Sequence, residues 1–223
     1  MAASLEEWNA LWKGIREIND LFPDGVVFIG GVAVYLHIDR DALPAGFVEF
    51  SHDADLYFSL ADFADLRDIE EVTANRRLNK HQIIRHGVEY DIYLERHNSL
   101  AVPYSEARAH SVVIDGMRVA CLEHLLVLKL DAYGSRKGSS KGAKDERDLI
   151  RICYLLAGKG FDMKLILPYL DSDRVNLLGG LKNSPGYLVL CEGNAHQARP
   201  VRDAVNGVVR QIAAHGSRRH AKP

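Results

Sequence analysis

Cysteine is scarce in this chain: Cys121, Cys153 and Cys191 are all there is. The number is odd, the three lie far apart and none makes a Cys-x-x-Cys pair, which argues against a disulfide framework or a paired-cysteine zinc site. They read as small core hydrophobes in a reduced cytosol. Histidine is more plentiful, but no His-Glu-x-x-His spacing occurs among His37, His52, His81, His86, His97, His110, His124, His196, His215 and His220, so zinc hydrolysis of that type has no carrier. Net charge is nearly absent as well, at −2, so no global basic surface announces nucleic acid. No apolar run reaches membrane-spanning length, and the start Met1-Ala2-Ala3-Ser4-Leu5-Glu6-Glu7 is polar and acidic. A cytoplasmic protein with no signal peptide and no membrane partner is expected. Internal repeats and low-complexity tracts are missing too.

What the chain does have is 223 residues, 47% of them hydrophobic, enough core for one large domain or two small ones. It also has acids in unusual places. Phe28-Ile29-Gly30-Gly31-Val32-Ala33 closes an apolar run with a Gly-Gly turn, Asp53-Ala54-Asp55-Leu56-Tyr57-Phe58 follows, and then Val88-Glu89-Tyr90-Asp91-Ile92-Tyr93. Charged groups on apolar strands are costly to desolvate unless something pairs with them. Residues i and i+2 of a strand share a face, so Asp53 and Asp55 are predicted side by side, about 6–7 Å apart along the strand. With Asp91 on a neighbouring strand, the three carboxylates offer the hard oxygen donors that Mg²⁺ prefers. The glycines supply a second element. A strand over residues 25–29 turning at Gly30-Gly31 into a helix lets backbone N–H groups approach a phosphate at the helix N-terminus.

The remaining elements follow from pattern. Ser4 is a candidate N-cap, with Glu6 and Glu7 in the first turn and Leu5, Trp8, Leu11, Trp12, Ile15 and Ile18 at helical spacing up to about Asp20. A strand over 53–58 precedes a helix near 61–73. His86-Gly87 and Asp115-Gly116 are two-residue hairpin turns between strand-like runs. After Cys121 the chain reads as helical over 122–134, 144–158, 162–170 and 200–214, with 171–199 ambiguous. The expected architecture is α+β: a small mixed twisted sheet flanked by helices over 1–120, then a mainly helical C-terminal domain over 121–223. Arg136, Lys137, Lys141 and Lys144 read as a Gly/Ser-rich basic loop, either solvated or facing phosphate. The tail Ser217-Arg218-Arg219-His220-Ala221-Lys222-Pro223 reads as a frayed terminus.

The order Gly-Gly, Asp-x-Asp, third strand Asp resembles the nucleotidyltransferase fold shared with DNA polymerase beta. Further on, Leu122-Glu123-His124-Leu125-Leu126-Val127-Leu128-Lys129-Leu130-Asp131-Ala132, then Arg136, then Lys144-Asp145-Glu146-Arg147-Asp148-Leu149 is similar to a helical pattern of the AbiEii-like toxin nucleotidyltransferases. The likeness covers about residues 25–155. One departure is Phe50-Ser51-His52-Asp53: relatives carry Ser/Thr and Arg before the first acid, so nucleotide preference does not carry over with His52 in place.

The resemblance implies roles by position. Asp53, Asp55 and Asp91 would hold Mg²⁺, and Asp91 would also accept the proton of an attacking hydroxyl. Gly30 and Gly31 would cradle the triphosphate, Lys129 and Arg136 would contact it, and Asp145 and Asp148 would lie in the same site. The residues alone leave alternatives open. Lys129 can be an accessible lysine on a solvated helix face, and Asp145 and Asp148 can be first-turn acids that complement a helix dipole. The implied activity is Mg²⁺-dependent transfer of an NMP from an NTP to an RNA (tRNA, for example) or protein acceptor, as the toxin of a toxin–antitoxin pair with a cognate antitoxin as partner. A small-molecule, antibiotic-type nucleotidyltransferase and a non-catalytic binding module on the same fold are the other readings.

Overall fold

A computed structural model describes residues 3–219; the end of the basic tail, 220–223, lies outside the described residues. The chain divides into two compact units, one of Met1–His37 and Glu49–Cys121, the other of Ile38–Val48 and Leu122–Pro223.

The first unit is built on a mixed sheet of β1 (Val26–Ile29), β2 (Ala54–Phe58), β3 (Thr73–Asn75), β4 (Lys80–Arg85), β5 (Val88–Leu94), β6 (Val112–Ile114) and β7 (Met117–Val119), in the order β3-β4-β5-β2-β1-β7-β6. β2 runs parallel to β5, and β1 to β7; the other pairs are antiparallel. Accompanying it among the described residues are the helices α1 (Leu5–Leu21), α2 (Gly30–His37), α3 (Leu60–Ile69) and α4 (Tyr104–Ala109).

α1 starts where Ser4 can close a capping box. Its Oγ accepts from the Glu7 N–H at 3.2 Å while the Glu7 carboxylate accepts from the Ser4 N–H at 2.7 Å. The helix buries Trp8, Leu11, Ile15 and Ile18, and each aliphatic side chain removed from water contributes about 1.5–3 kcal/mol. Gly14 lets β5 come close, since a Cβ there would lie 2.8 Å from Tyr90 Cζ, and the Tyr90 hydroxyl donates to Leu11 O at 2.9 Å. Both two-residue hairpins form. His86 and Gly87 have φ of 52° and 76°, Asp115 and Gly116 of 51° and 79°, the pair of positive values that a type I′ turn needs.

The second unit consists of α5 (Leu122–Arg136), α6 (Ser140–Lys159), α7 (Ser172–Gly180), α8 (Gly186–Leu190) and α9 (Ala195–Arg219), joined by the segment 38–48. That segment belongs here because Arg151 of α6 holds its backbone: Nε donates to Phe47 O at 2.8 Å and Nη2 to Gly46 O at 3.3 Å.

Several elements depart from the sequence expectation for local reasons. The helix expected over 162–170 is two 3-10 turns, Met163–Leu165 and Leu167–Tyr169, because Pro168 cannot donate and blocks a continuous α-helix. α9 begins before Pro200, at Ala195, where Asn194 Oδ1 accepts from the N–H groups of His196 and Gln197 at 3.0 and 3.2 Å. α6 begins at Ser140 rather than 144, with Ser139 Oγ capping the Gly142 N–H at 3.0 Å. Lys141 and Lys144 therefore lie on a helix, and the basic loop shrinks to 137–139. Among the described residues no helix is long and apolar enough to cross a membrane, and all three cysteines are buried. Burial pushes the Cys153 thiol up to about 12.

Candidate functional site

In the first unit the expected site residues gather at one end of β1 and β2. β1 ends at Ile29, which stands opposite Asp55 on β2. The next residue, Gly30, opens α2 with φ of 67°, in the left-handed region that favours glycine. The turn presses against the acid: a Cβ on Gly30 would overlap the Asp55 carboxylate, lying 2.7 Å from its Cγ. Gly31 is the second residue of α2.

Asp55 in turn pairs in register with Asp91 on the parallel strand β5, and Asp91 with Gln82 on β4. Paired residues of neighbouring strands face the same way, so Asp55, Asp91 and Gln82 form a row across one face of the sheet. Asp53 lies one residue before β2 rather than within it, and its Oδ1 accepts from Ser51 Oγ at 3.2 Å. His52 is half exposed, with Nδ1 3.8 Å from Glu7 Oε2.

The three acids are not drawn into one cluster. Among the described residues no group of three His, Cys, Asp or Glu side chains is placed to hold a metal ion. Asp91 is instead clasped from β4, where Lys80 Nζ forms an ion pair with Oδ2 and Gln82 Nε2 donates to Oδ1 at 3.0 Å. Lys80 and Gln82 are two apart on one strand and so reach the same face. The pair is nearly buried, with side-chain exposures of 11% and 10%.

This arrangement fits a divalent cation in donor chemistry. Asp55 and Asp91 supply aligned carboxylate oxygens, and a cation, the Lys80 ammonium, already neutralises Asp91. Mg²⁺ takes one or two protein carboxylates together with phosphate oxygens, so the pair Asp55 and Asp91 would be enough protein donors for it.

In the second unit Lys129, Arg136, Asp145 and Asp148 come together, and Arg151 joins them. Lys129 Nζ lies 2.8 Å from Asp148 Oδ2 and 3.4 Å from Asp145 Oδ1. Arg136 grips Asp145 with Nε at 2.5 Å from Oδ2 and Nη2 at 2.9 Å from Oδ1. Arg151 Nη1 donates to Asp148 Oδ1 at 2.9 Å. Burial acts to raise the Asp148 carboxyl, but Lys129 and Arg151 outweigh it and hold the group below its ordinary value.

Two of the alternatives left open by the sequence close here. Lys129 is buried, at 6% exposure, so it is not an accessible lysine on a solvated face. Asp145 and Asp148 lie beyond the first turn of α6 and answer to side-chain cations rather than to a helix dipole. Lys80, Gln82 and Arg151 are the members of these two sets that the sequence did not assign to a site.

Comparison with known proteins places this geometry in a wider fold. No family model matches the sequence, and no curated protein matches it. Solved structures do match. JHP933 from Helicobacter pylori shares 16% identity at a TM-score of 0.50, covering 98% of this chain and 97% of its own. An antigenic nucleotidyltransferase-like protein from Paracoccidioides brasiliensis shares 14% identity at a TM-score of 0.51, covering 86% of this chain and 95% of its own. At such identities the likeness establishes the fold alone: this chain shares the α+β architecture of these two proteins over most of its length.

Proposed function

We propose that the protein is a Mg²⁺-dependent nucleotidyltransferase that moves an NMP from an NTP to an acceptor hydroxyl. The observation that carries this reading is the row formed by Asp55 and Asp91, in register on parallel strands, with the Gly30 turn pressed against Asp55. The sequence resemblance to AbiEii-like toxins extends it to an RNA or protein acceptor and a toxin role.

The chain's own residues divide the work. Gly30 and Gly31 present the α2 N-terminus, whose free N–H groups favour a phosphate. Asp55 and Asp91 would hold Mg²⁺, which when bound neutralises phosphate charge and polarises the reacting phosphoryl group. Asp91, oriented by Gln82, accepts the proton of the attacking hydroxyl. The hydroxyl oxygen bonds to the α-phosphorus, the bond from that phosphorus to the bridging β-phosphate oxygen breaks, and pyrophosphate leaves. Lys80, paired with Asp91, is the cation beside this row that would meet a triphosphate. Most of the rate enhancement then comes from positioning and charge neutralisation.

The test is incubation with each α-labelled NTP and Mg²⁺, with and without total tRNA, followed by gel autoradiography. Label should pass to an acceptor with the wild-type chain and fail to pass with Asp55→Asn. Absence of labelling with every NTP and with both tRNA and a protein extract as acceptor, or labelling that survives Asp55→Asn, overturns the reading.

A further inference from the structure

The first unit contains a second place suited to a charged ligand, well away from the acid row. It is a cavity of about 620 Å³ lined by Glu95, Arg96, Tyr104 and Pro103, together with Arg108 and Arg118. It lies where β2 and β5 end and β1 begins. Glu95 follows β5 and its N–H donates to Phe58 O, the last residue of β2, at 2.9 Å, about 13 Å along the strand from Asp91.

The charge of the lining is lopsided. Three guanidiniums and one carboxylate line it, with the exposed Asp24 carboxylate beside Arg118, and the lining carboxylate is committed: Glu95 Oε2 accepts from the Leu60 N–H at 3.3 Å and Oε1 lies 3.8 Å from Arg96 Nε. Two of the guanidiniums, those of Arg108 and Arg118, are held by hydrogen bonds. Arg108 Nε donates to Asp24 O at 3.0 Å. Arg118 Nη1 donates to Ser111 Oγ at 3.2 Å and Nη2 to Asp24 Oδ1 at 3.3 Å. No protein acceptor engages either terminal nitrogen of Arg108 among the described residues. The wall beside them is rigid and partly apolar, formed by Pro103 and by Tyr104, whose hydroxyl donates to Gly25 O at 2.8 Å.

A pre-set guanidinium fork matches the two oxygens of a phosphate, and the volume falls in the range of small-ligand sites. We propose that this cavity binds a small phosphorylated molecule, its phosphate on Arg108 and Arg118 and its uncharged part against Tyr104 and Pro103. The site is separate from the acid row and needs no metal.

The test uses the full chain in EDTA without nucleotide, so its outcome is independent of whether the acid row binds Mg²⁺ and NTP. Inorganic phosphate and pyrophosphate are titrated at constant ionic strength while the arginine Nε–Hε resonances are followed by NMR. Saturable shifts at Arg108 and Arg118 are expected, stronger with pyrophosphate and unchanged in Asp55→Asn. Arg108→Gln should raise the dissociation constant about tenfold, as the loss of a charge-assisted hydrogen bond implies. Arg96→Gln, at an exposed side chain, should weaken binding less and guards against a folding defect. Shifts reproduced by chloride, no saturation, or an affinity unaltered in Arg108→Gln would each overturn the proposal. So would a 5′-phosphorylated single-stranded oligonucleotide that binds these arginines far more tightly than pyrophosphate, which would make the cavity part of a nucleic-acid track.

Discussion

Gly30 and Asp55 touch so closely that no side chain fits between them: a Cβ on the glycine would lie 2.7 Å from the Asp55 Cγ. The same glycine has φ of 67°. Gly30→Ala therefore meets two costs, a left-handed backbone worth about 1–2 kcal/mol and a clash worth about 1–3 kcal/mol. Urea unfolding should show a loss of at least about 2 kcal/mol, and nucleotide affinity should fall with it because Asp55 must shift. A variant with unchanged stability would mean that the turn is not held in this conformation.

Lys80 holds the place at Asp91 that a metal would take, which gives a test of that acid as a ligand. Lys80→Met leaves a nearly buried carboxylate without its cation, and removal of one partner from a buried pair costs about 3–5 kcal/mol. At 11% and 10% side-chain exposure the cost should sit toward the lower end. Mg²⁺ should then raise the melting temperature of Lys80→Met more than that of the wild-type chain. An equal or smaller Mg²⁺ effect would remove Asp91 from the metal site.

How much of this was legible can be traced through the β4–β5 hairpin. The His86-Gly87 turn is visible in the sequence, and a two-residue loop fixes register. Counting outward from it puts Arg85 opposite Val88 and Gln82 opposite Asp91, as the structure has it. Gln82 was therefore within reach of sequence reasoning, and Lys80, two residues further on the same face, with it. The short edge strand β3 and the six-residue α4 carry too few residues for a periodicity to emerge. Arg151 was out of reach for another reason, since its partners Gly46 and Phe47 lie more than a hundred residues away in sequence. The burial of Lys129 was likewise hidden. Its apolar neighbours are visible, but the acids that let a lysine be buried among them come from a different helix.

That burial alters the meaning of a Lys129 variant. Lys129→Ala would leave Asp145 and Asp148, at 1% and 3% exposure, with fewer cations, and a loss of about 3–5 kcal/mol is expected. An accessible lysine on a solvated face would leave the melting temperature nearly unchanged; a lysine at 6% exposure beside two buried acids would not. Lys129→Ala combined with Asp148→Asn should recover part of the loss, since the uncompensated charge is then removed. If the single variant melts with the wild type, the ion pairs contribute little, and any loss of transfer activity can be assigned to Lys129 itself.

Asp148 also sets a pH dependence for the second unit. Lys129 and Arg151 hold its carboxyl below the ordinary value of 3.8, against the opposing effect of burial. A carboxyl depressed in the folded state takes up its proton at higher pH when the chain is unfolded. Its contribution is therefore fully present above about 3.8 and is lost as pH falls from there through the depressed folded value. Neutral and mildly acidic conditions should leave it untouched. Urea midpoints measured at pH 7, 5 and 3 should differ little between the first two and drop at the third. Other carboxylates contribute to such a drop, so the comparison that isolates Asp148 is with Asp148→Asn. That variant should be less stable at pH 7, because Lys129 and Arg151 lose their shared counter-charge, and its stability should fall less between pH 5 and pH 3. A parallel decline in both proteins would show that Asp148 does not gain its ionised form from the fold.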